Sequence, residues 1–276
     1  MFERCLPRHL EIIYRINEVH LNHAEARCPG DIDFRAAVSL IDEKAGRRVR
    51  MGHLAFIGSH RINGVSAMHS ELMKETVFHD LHHLYPGRIT NKTNGITPRR
   101  WLAASNPELA QLLTETIGSE WTRDLSQLSK LKRYADDAKF QKAWRQVKRA
   151  NKERLVRYAE AETGIRLQTE ALFDPQVKRI HEYKRQLLNA LHVIHLYDRI
   201  RRGDTADWTP RVVFFGGKAA PGYQMAKRII KLINNIAARV NADPLVGDRL
   251  KVVFLPNYRV TAMEIICPGT DLSEQI

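Results

Sequence analysis

Cysteine is scarce in this 276-residue sequence, and long hydrophobic runs are missing. Cys5, Cys28 and Cys267 are odd in number and far apart, so they form neither a disulfide framework nor a CxxC metal or redox pair. This usage fits a reducing compartment. The longest apolar runs, within 211–217 and 251–256, are too short to span a membrane, and the N-terminus lacks a signal-peptide pattern. We therefore expect a cytoplasmic protein without a membrane partner.

Acidic residues are in deficit. The sequence has 44 Lys and Arg against 31 Asp and Glu, which gives a net charge of +13. Because 43% of the residues are hydrophobic, the chain can bury a core, and it is neither disordered nor low-complexity. The basic excess suggests a partner that carries negative charge, such as a phosphate-bearing ligand or nucleic acid.

Much of this excess lies in residues 130–157, which carry eleven Lys and Arg and three Asp and Glu, a net charge of +8. The spacing of Phe140, Trp144, Val147 and Leu155 predicts one amphipathic helix here. Its charged face could hold a polyanion, but stacking aromatics interleaved with Arg and Gly are missing, as are RRM, KH and helix-turn-helix patterns. A solvated helix is the favoured interpretation, and a nucleic-acid-binding module is the alternative.

The first 165 residues are predicted to be mainly helical. A helical pattern opens the chain and ends at the Cys-Pro-Gly breaker at 28–30, and another helix is expected from Ala67 to about Phe78. Residues 95–165 follow as a helical region. Its start signals are Thr97 as an N-cap before Pro98 and, further on, Asn106 before Pro107.

The final third alternates between strand and helix patterns. Strands are predicted at 172–180, 211–215 and 251–255, where β-branched, aromatic and aliphatic residues concentrate. Helices are predicted between them and from about Val260 onward, and the first of these helices is marked by four apolar residues: Leu187, Leu188, Leu191 and Ile194. Such alternation with short connections predicts an α/β fold with a parallel, doubly wound sheet and helices on both faces.

The stretch 178–186 is the most informative, because it joins the end of the first predicted strand to a helix. Ligands bind at the carboxyl ends of the strands in open α/β sheets. Four cations gather there with only Glu182 to offset them: Lys178, Arg179, Lys184 and Arg185. An anionic ligand would interact favourably with these cations and with the N–H groups of the helix N-terminus. A solvated basic turn is an equal alternative on this pattern alone.

Two further loops follow the next two strands at the same edge. Gly216-Gly217-Lys218 lacks the spacing of a P-loop or a GxGxxG motif, so by itself it favours a tight packing turn. Together with the basic stretch it suggests two loops that face one crevice. Asn257-Tyr258-Arg259 offers a ring and a guanidinium that could clamp a flat, charged ligand, with a surface turn as the alternative.

Histidine is frequent, but no metal site is expected. His79-x-x-His82-His83 and His192-x-x-His195 have helix-compatible spacing and lack a nearby Cys or acidic ligand set. The GxSxG and HExxH signatures are also missing.

Six sequence blocks together carry a resemblance to a known family. They are GSHRINGVSAMHSE, NKTNGITPRRWL, KRIHEYKRQLLN, FFGGKAAPGY, FLPNYRV and DLSEQI. Their sequence and order resemble the α-glucan phosphorylases over essentially the whole chain. The resemblance implies an incomplete, Rossmann-like, two-lobed glycosyltransferase fold of the GT-B type with a helix-rich N-terminal half. Residues 1–94 would end the N-terminal lobe, and 95–276 would supply helical segments and the first half of the C-terminal lobe.

The resemblance also implies an activity. The family cleaves terminal α-1,4-linked glucose with inorganic phosphate and releases glucose 1-phosphate, and its full-length members are homodimers. Its cofactor is pyridoxal 5′-phosphate, whose phosphate group acts as acid and base. This chemistry brings two phosphates into one cationic pocket, and the basic stretch suits that requirement. The implied partners are therefore an α-1,4-glucan and inorganic phosphate, and nucleic acid is not expected.

Individual residues match the family's functional positions by motif. The matches to catalytic, phosphate-binding residues are Lys178, Arg179 and Lys184. The matches to substrate-binding residues near the sugar are Asn94, Tyr183 and Val65. The matches to cofactor-pocket residues are Trp101, Lys178, Tyr258 and Arg259.

One departure from the family affects the cofactor. The block that carries the family's Schiff-base lysine is not found up to Ile276, so the chain resembles an internal fragment and is expected to be inactive alone. A sugar-nucleotide glycosyltransferase of similar fold is a second rival, but no acidic partner for a nucleotide ribose is convincingly placed.

Overall fold

The computed structural model describes residues 2–44 and 46–275, and it divides the chain into two units, Met1–Ile96 and Thr97–Ile276. Ile276, the last residue of the DLSEQI block, lies outside the described residues. The helices of the first unit are α1 (Phe2–Cys5), α2 (Pro7–Arg27), α3 (Ile32–Val38), α4 (Met51–Ile57), α5 (Ala67–Glu75) and α6 (His79–Leu84). Its strands are β1 (Ile41–Asp42), β2 (Arg48–Val49), β3 (Ile62–Gly64) and β4 (Ile89–Asn91).

The first unit packs its helices around a small apolar core. Its buried residues are Ala24, Val38, Phe56, Leu81, Leu84 and Ile89. The predicted opening helix is confirmed as α2, and the helix predicted from Ala67 is confirmed as α5, although it already ends at Glu75. β3 and β4 pair in parallel, so the loops that follow them begin side by side.

The second unit begins with short helical segments that lead to one long helix. They are the π-helix Arg99–Ala104, α7 (Pro107–Ile117), the 3-10 helices Ser119–Thr122 and Leu125–Tyr134, and α8 (Ala138–Thr163). Asn106 is confirmed as an N-cap, since its side chain accepts a hydrogen bond from the Leu109 N–H group. The N-cap predicted at Thr97 lies one residue before the capping position of the π-helix, which is Pro98, although the Trp101 N–H group donates to the Thr97 carbonyl at 3.1 Å as at a helix start.

The basic segment 130–157 is not one helix. It is divided between the 3-10 helix Leu125–Tyr134 and α8, and Asp137 caps α8 by accepting from the Lys139 and Phe140 N–H groups. An N-capping aspartate stabilises a new helix start, which explains the break. The segment is also not simply solvated, because three of its cations donate hydrogen bonds to other parts of the second unit.

Lys148, Lys152 and Arg154 hold α8 to the rest of the second unit. Lys152 Nζ donates to Asp271 Oδ2 at 2.7 Å and to the Ala171 carbonyl at 2.6 Å. Lys148 donates to the Pro268 and Thr270 carbonyls, and Arg154 donates to the Ser105 and Glu264 carbonyls. Less of the +8 charge therefore faces solvent than the sequence suggests.

The rest of the second unit is a three-stranded parallel sheet with helices on both faces. Its strands are β5 (Leu172–Val177), β6 (Arg211–Gly216) and β7 (Leu250–Leu255), in the order β5-β6-β7. Its helices are the short 3-10 helix Glu182–Lys184, α9 (Gln186–Arg201), α10 (Gln224–Ala242) and α11 (Val260–Gly269). The predicted α/β class and parallel pairing are confirmed, and β5 ends three residues earlier than predicted.

The helices that cover the two faces of this sheet are arranged differently from those of a doubly wound sheet. Val213 and Phe215 of β6 pack with α9 and α10 on one face, whereas Val212 and Phe214 pack with α8 and α11 on the other. Because the three strands are adjacent in chain order, both connecting helices lie on the same face. The second face is covered by the helices that precede and follow the sheet.

The apolar residues that indicated α9 do not form its buried face. Leu187, Leu188, Leu191 and Ile194 are all exposed. The residues that α9 buries are Gln186, Asn189, Ala190, Val193, Leu196 and Ile200. Two amides therefore occupy positions near the helix N-terminus where the hydrophobic pattern predicts aliphatic side chains.

The buried His20 of α2 makes the stability of the first unit dependent on pH. Its Nε2–H group donates to the Val38 carbonyl at 3.0 Å, and its Nδ1 lies 3.0 Å from the Tyr85 hydroxyl, which leaves the ring neutral. Burial, aided by the nearby His23, His53 and Arg88 charges, lowers the pKa of His20. The unfolded chain therefore binds the proton more readily than the folded chain does.

We expect the melting temperature to fall as the pH drops below about 6.5, the ordinary pKa of histidine, and this part of the stability to be complete above that pH. His20→Met should weaken this pH dependence, because it removes the group that takes up the proton on unfolding. The exposed His9→Met variant serves as the control. Thermal melts from pH 8 to pH 5.5 measure the effect, and equal pH profiles for His20→Met and the unsubstituted chain would contradict it.

Candidate functional site

The three strands of the second unit end at one level. Val177 pairs with Gly216, and Gly216 pairs with Leu255, and each is the last residue of its strand. The loops after β5, β6 and β7 consequently start in one row at the carboxyl edge of the sheet. This arrangement places the basic stretch, the glycine pair and the Asn-Tyr-Arg stretch along the same edge, as the sequence predicted.

The loops after β5 and β6 are in direct contact. The Lys178 N–H group donates to the Gly216 carbonyl at 2.9 Å, and the Ile180 N–H group donates to the Lys218 carbonyl at 3.2 Å. A Cβ atom on Gly217 would lie 2.0 Å from the Lys178 carbonyl oxygen, so no other residue fits without movement of the backbone. Gly217 thus serves close packing, and that packing brings the second loop to the basic stretch.

The four cations of the basic stretch have no carboxylate partner in the described part of the chain. Lys178 and Lys184 are half-buried, and Arg179 and Arg185 are exposed. The Lys184 ammonium lies 5.6 Å from the centre of the Tyr183 ring, and Tyr183 itself is 63% exposed. Arg185 has a left-handed backbone, with φ of 58°, which reverses the chain immediately before α9 begins.

Glu182, the only carboxylate within the stretch, is bound by Tyr223 from the loop after β6. The Tyr223 hydroxyl donates to Glu182 Oε2, and the Glu182 N–H group donates back to the Tyr223 oxygen at 3.3 Å. This hydrogen bond raises the pKa of Tyr223, so the hydroxyl keeps its proton. The His181 ring lies between Tyr183 and Tyr223, with ring centres 4.5 and 4.9 Å apart. Glu182 is therefore held by a partner other than the four cations.

Sequence analysis missed Tyr223 and the amides beneath the basic stretch. Tyr223 is the last residue of the FFGGKAAPGY block, but nothing in that block indicates that its hydroxyl binds Glu182. Gln176, Gln186 and Asn189 are all buried and bonded to one another or to the backbone of the stretch. The sequence gives no sign that these three amides are buried, and only the structure shows it.

The residues matched to the cofactor pocket lie on connected parts of the second unit. Tyr258 and Arg259 follow β7 and immediately precede α11, and burial raises the pKa of Tyr258, which keeps its hydroxyl protonated. Trp101 lies in the π-helix, which is tied to α11 by an ion pair of 2.7 Å between Arg100 and Glu264. The Arg259 side chain is exposed and has no carboxylate partner within the described ranges.

The two sugar-site matches in the first unit are neighbours. β3 and β4 are parallel, and beyond their ends the Asn94 N–H group donates to the Val65 carbonyl at 2.9 Å. Both side chains are exposed. A Cβ atom on Gly64 would lie 1.9 Å from the Ser70 hydroxyl oxygen, so α5 packs directly against the end of β3 and fixes the position of Val65.

The histidine pairs do not form a metal centre among residues 2–44 and 46–275, where no group of three or more His, Cys, Asp or Glu could hold an ion. His79 pairs with Asp80, and His83 packs edge-on against Phe34.

No helix among the described residues is both long enough and apolar enough to cross a bilayer.

The fold and its loops define an α/β protein with a cationic edge on a parallel sheet. Comparison with protein families identifies the class: the model of the carbohydrate phosphorylase family matches residues 1–276. The chain belongs to this family. The resemblance derived from the six sequence blocks is thereby confirmed.

Curated relatives agree with this assignment. The chain is 53% identical over all its residues to the muscle form of glycogen phosphorylase from Bos taurus and to the brain form from Homo sapiens, and it covers 33% of each. It is 52% identical to glycogen phosphorylase from Synechocystis sp., of which it covers 32%. The chain thus spans about a third of the length of these relatives. Glycogen phosphorylases are glycosyltransferases, which confirms the expected enzyme class at the level of the family.

Substitution of Gly217 should separate the two contacting loops. Gly217→Ala would place a methyl group 2.0 Å from the Lys178 carbonyl and 2.9 Å from Ile180 Cδ1. We expect a loss of about 1–3 kcal/mol in the free energy of unfolding, as for other overpacked sites.

Gly222→Ala is the matched control, because no atom lies within 4 Å of its added methyl group. It should change stability by about 0.5 kcal/mol or less. Urea denaturation measures both variants, and equal midpoints would disprove the close-packing role of Gly217.

Proposed function

We propose that this chain supplies phosphate- and glucan-binding residues of an α-1,4-glucan phosphorylase. Its reaction is phosphorolysis of terminal α-1,4-linked glucose to glucose 1-phosphate. The observation that carries the proposal is the basic stretch: four cations at the carboxyl edge of the sheet, none paired with a carboxylate within the described residues, and the one local carboxylate bound to Tyr223. The family and the names of the relatives support the same reaction.

The basic stretch has the chemistry that phosphate requires. Lys and Arg form short, charge-assisted hydrogen bonds with phosphate oxygens, and Arg can bind two oxygens at once. The N-terminus of α9 adds free N–H groups and a positive dipole at the same place. In the proposed reaction Arg179 binds inorganic phosphate, Lys178 and Lys184 hold the substrate and cofactor phosphates, and their charge stabilises the transition state.

The donor set also fits the family's cofactor, pyridoxal 5′-phosphate. Lys178 and Arg259 are cations without a carboxylate partner in the described chain, Tyr258 keeps a protonated hydroxyl, and Trp101 offers an aromatic face. These four residues would hold the cofactor. When bound, it supplies a phosphate group that exchanges a proton with the substrate phosphate. The residues of this chain contribute positive charge, hydrogen-bond donors and exclusion of water.

Sugar binding is assigned to exposed residues of both units. Tyr183 presents an exposed phenol beside the cations, and Val65 and Asn94 form the neighbouring pair in the first unit. We further propose a GT-B arrangement in which residues 1–94 end the N-terminal lobe and 95–276 begin the C-terminal lobe. A homodimeric full-length enzyme in the cytoplasm, with glucan and phosphate as partners and no nucleic acid, completes the proposal.

A chimeric enzyme tests the proposed function. In it, this chain replaces the matching third of the Synechocystis glycogen phosphorylase, with which it shares 52% identity. We expect phosphate-dependent release of glucose 1-phosphate from maltodextrin. Arg179→Leu in the chimera should lower kcat/KM for phosphate by about a hundredfold, because one charged donor to the phosphate is lost.

The exposed Lys231→Leu variant on α10 controls for the loss of a positive charge and should leave kcat/KM unchanged. A folded chimera without phosphorolysis, or an Arg179→Leu chimera as active as its parent, would count against the proposal.

The 276-residue polypeptide provides a separate prediction. Since it spans about a third of its relatives, we expect no glucose 1-phosphate when it is assayed alone with maltodextrin, phosphate and pyridoxal 5′-phosphate. Clear turnover by the isolated polypeptide would show that this expectation is wrong.

A further inference from the structure

Buried amides lie directly beneath the basic stretch and hold its backbone. Gln186, the first residue of α9, is 0% exposed. Its Nε2 donates to the Arg179 carbonyl at 3.2 Å, and its Oε1 accepts from the His181 N–H group at 3.3 Å. Because a carbonyl needs a donor and an N–H group needs an acceptor, only a carboxamide in this orientation satisfies both partners.

A second pair of amides holds the other end of the stretch. Gln176 Nε2 donates to the Lys184 carbonyl at 3.1 Å, and Gln176 Oε1 accepts from Asn189 Nδ2 at 3.1 Å. Gln176 and Asn189 are both buried. The amides therefore bind the carbonyls of Arg179 and Lys184, two of the residues proposed to bind phosphate.

The amides oppose a tendency of the stretch to open. Like charges repel, and the four cations have no carboxylate partner among the residues described. An unrestrained loop would separate its charges and would have to be ordered again when an anion binds. A loop that is already held in place avoids that cost, which strengthens binding.

We propose that Gln186 is a positioning residue for phosphate: by fixing the backbone of Arg179 and His181, it holds the cations of the basic stretch together. Gln176, supported by Asn189, does the same for Lys184. This inference rests on the proposed function and assigns a role to buried residues that touch neither phosphate nor sugar.

Phosphate affinity of the whole 276-residue chain tests the inference. The probe is inorganic phosphate, and its Kd is measured from the NMR shifts of the amides of residues 178–186. We expect Gln186→Met, which has a similar size and no hydrogen bonds, to weaken binding about fivefold or more, the equivalent of one lost hydrogen bond. Gln186→Glu can still accept from His181 but, when ionised, cannot donate to Arg179, so it should also bind phosphate more weakly.

Gln224→Met is the matched control, because Gln224 is the first residue of α10 and is exposed. It should keep the Kd of the unsubstituted chain. Urea midpoints establish that each variant is folded. If Gln186→Met does not fold, Gln176→Met takes its place, since it releases the Lys184 carbonyl alone. An unchanged Kd in a folded Gln186 or Gln176 variant would overturn the inference, as would an unsubstituted chain that binds no phosphate.

The chimeric enzyme separates this inference from the proposed function. In the active chimera, Gln186→Met should raise KM for phosphate by a larger factor than KM for maltodextrin, a split that general destabilisation does not produce. Equal rises in both KM values would overturn the positioning role while the proposed phosphorolysis stands. A folded chimera that is inactive without any substitution counts against the proposed function itself.

Discussion

Val177, Gly216 and Leu255 form one row of paired residues across three parallel strands, and the candidate site depends on that row. Neighbouring strands lie about 4.8 Å apart, so three loops that begin in one row bring their first residues close together. Gly217 allows the first two loops to come closer still, because the Lys178 carbonyl occupies the space of its missing side chain. Backbone topology, and not ion pairing, therefore brings the basic stretch after β5 and Arg259 after β7 to one edge of the sheet.

Two groups of cations in the second unit have different surroundings. On α8, Lys148, Lys152 and Arg154 bind carbonyl groups, and Lys152 also binds Asp271. Asp271 in turn accepts from the Phe173 N–H group at 2.9 Å, so α8 and the start of the edge strand β5 are held by one carboxylate. This charge is structural. The cations of the basic stretch have no carboxylate partner in the described chain, and this difference supports the proposal that they bind an anion.

Much of this arrangement could be predicted from the sequence. The strands and α10 bury continuous or periodic apolar residues, and parallel topology alone places three loops at one edge. The buried face of α9 could not be predicted, because Gln186 and Asn189 occupy it while Leu187 and Leu188 are exposed. A hydrophobic pattern assigns amides to solvent, and only the hydrogen bonds of the folded loop explain their burial. The helix break before α8 was not predicted. The eleven cations of residues 130–157 led to the interpretation of one basic helix, and Asp137 was not recognised as an N-cap.

Folding alone gives no reason for the composition of the basic stretch. Cations at the N-terminus of α9 oppose its dipole, each by about 0.3–1 kcal/mol when exposed, and they repel one another. The one carboxylate that could offset them is bound to Tyr223. Such an arrangement is destabilising without an anion, and any anion that binds only the folded chain stabilises it by an amount that grows with the logarithm of its concentration relative to its Kd. The positioning role proposed for the buried amides agrees with this thermodynamic argument, because their hydrogen bonds hold the backbone of the stretch when no anion is bound.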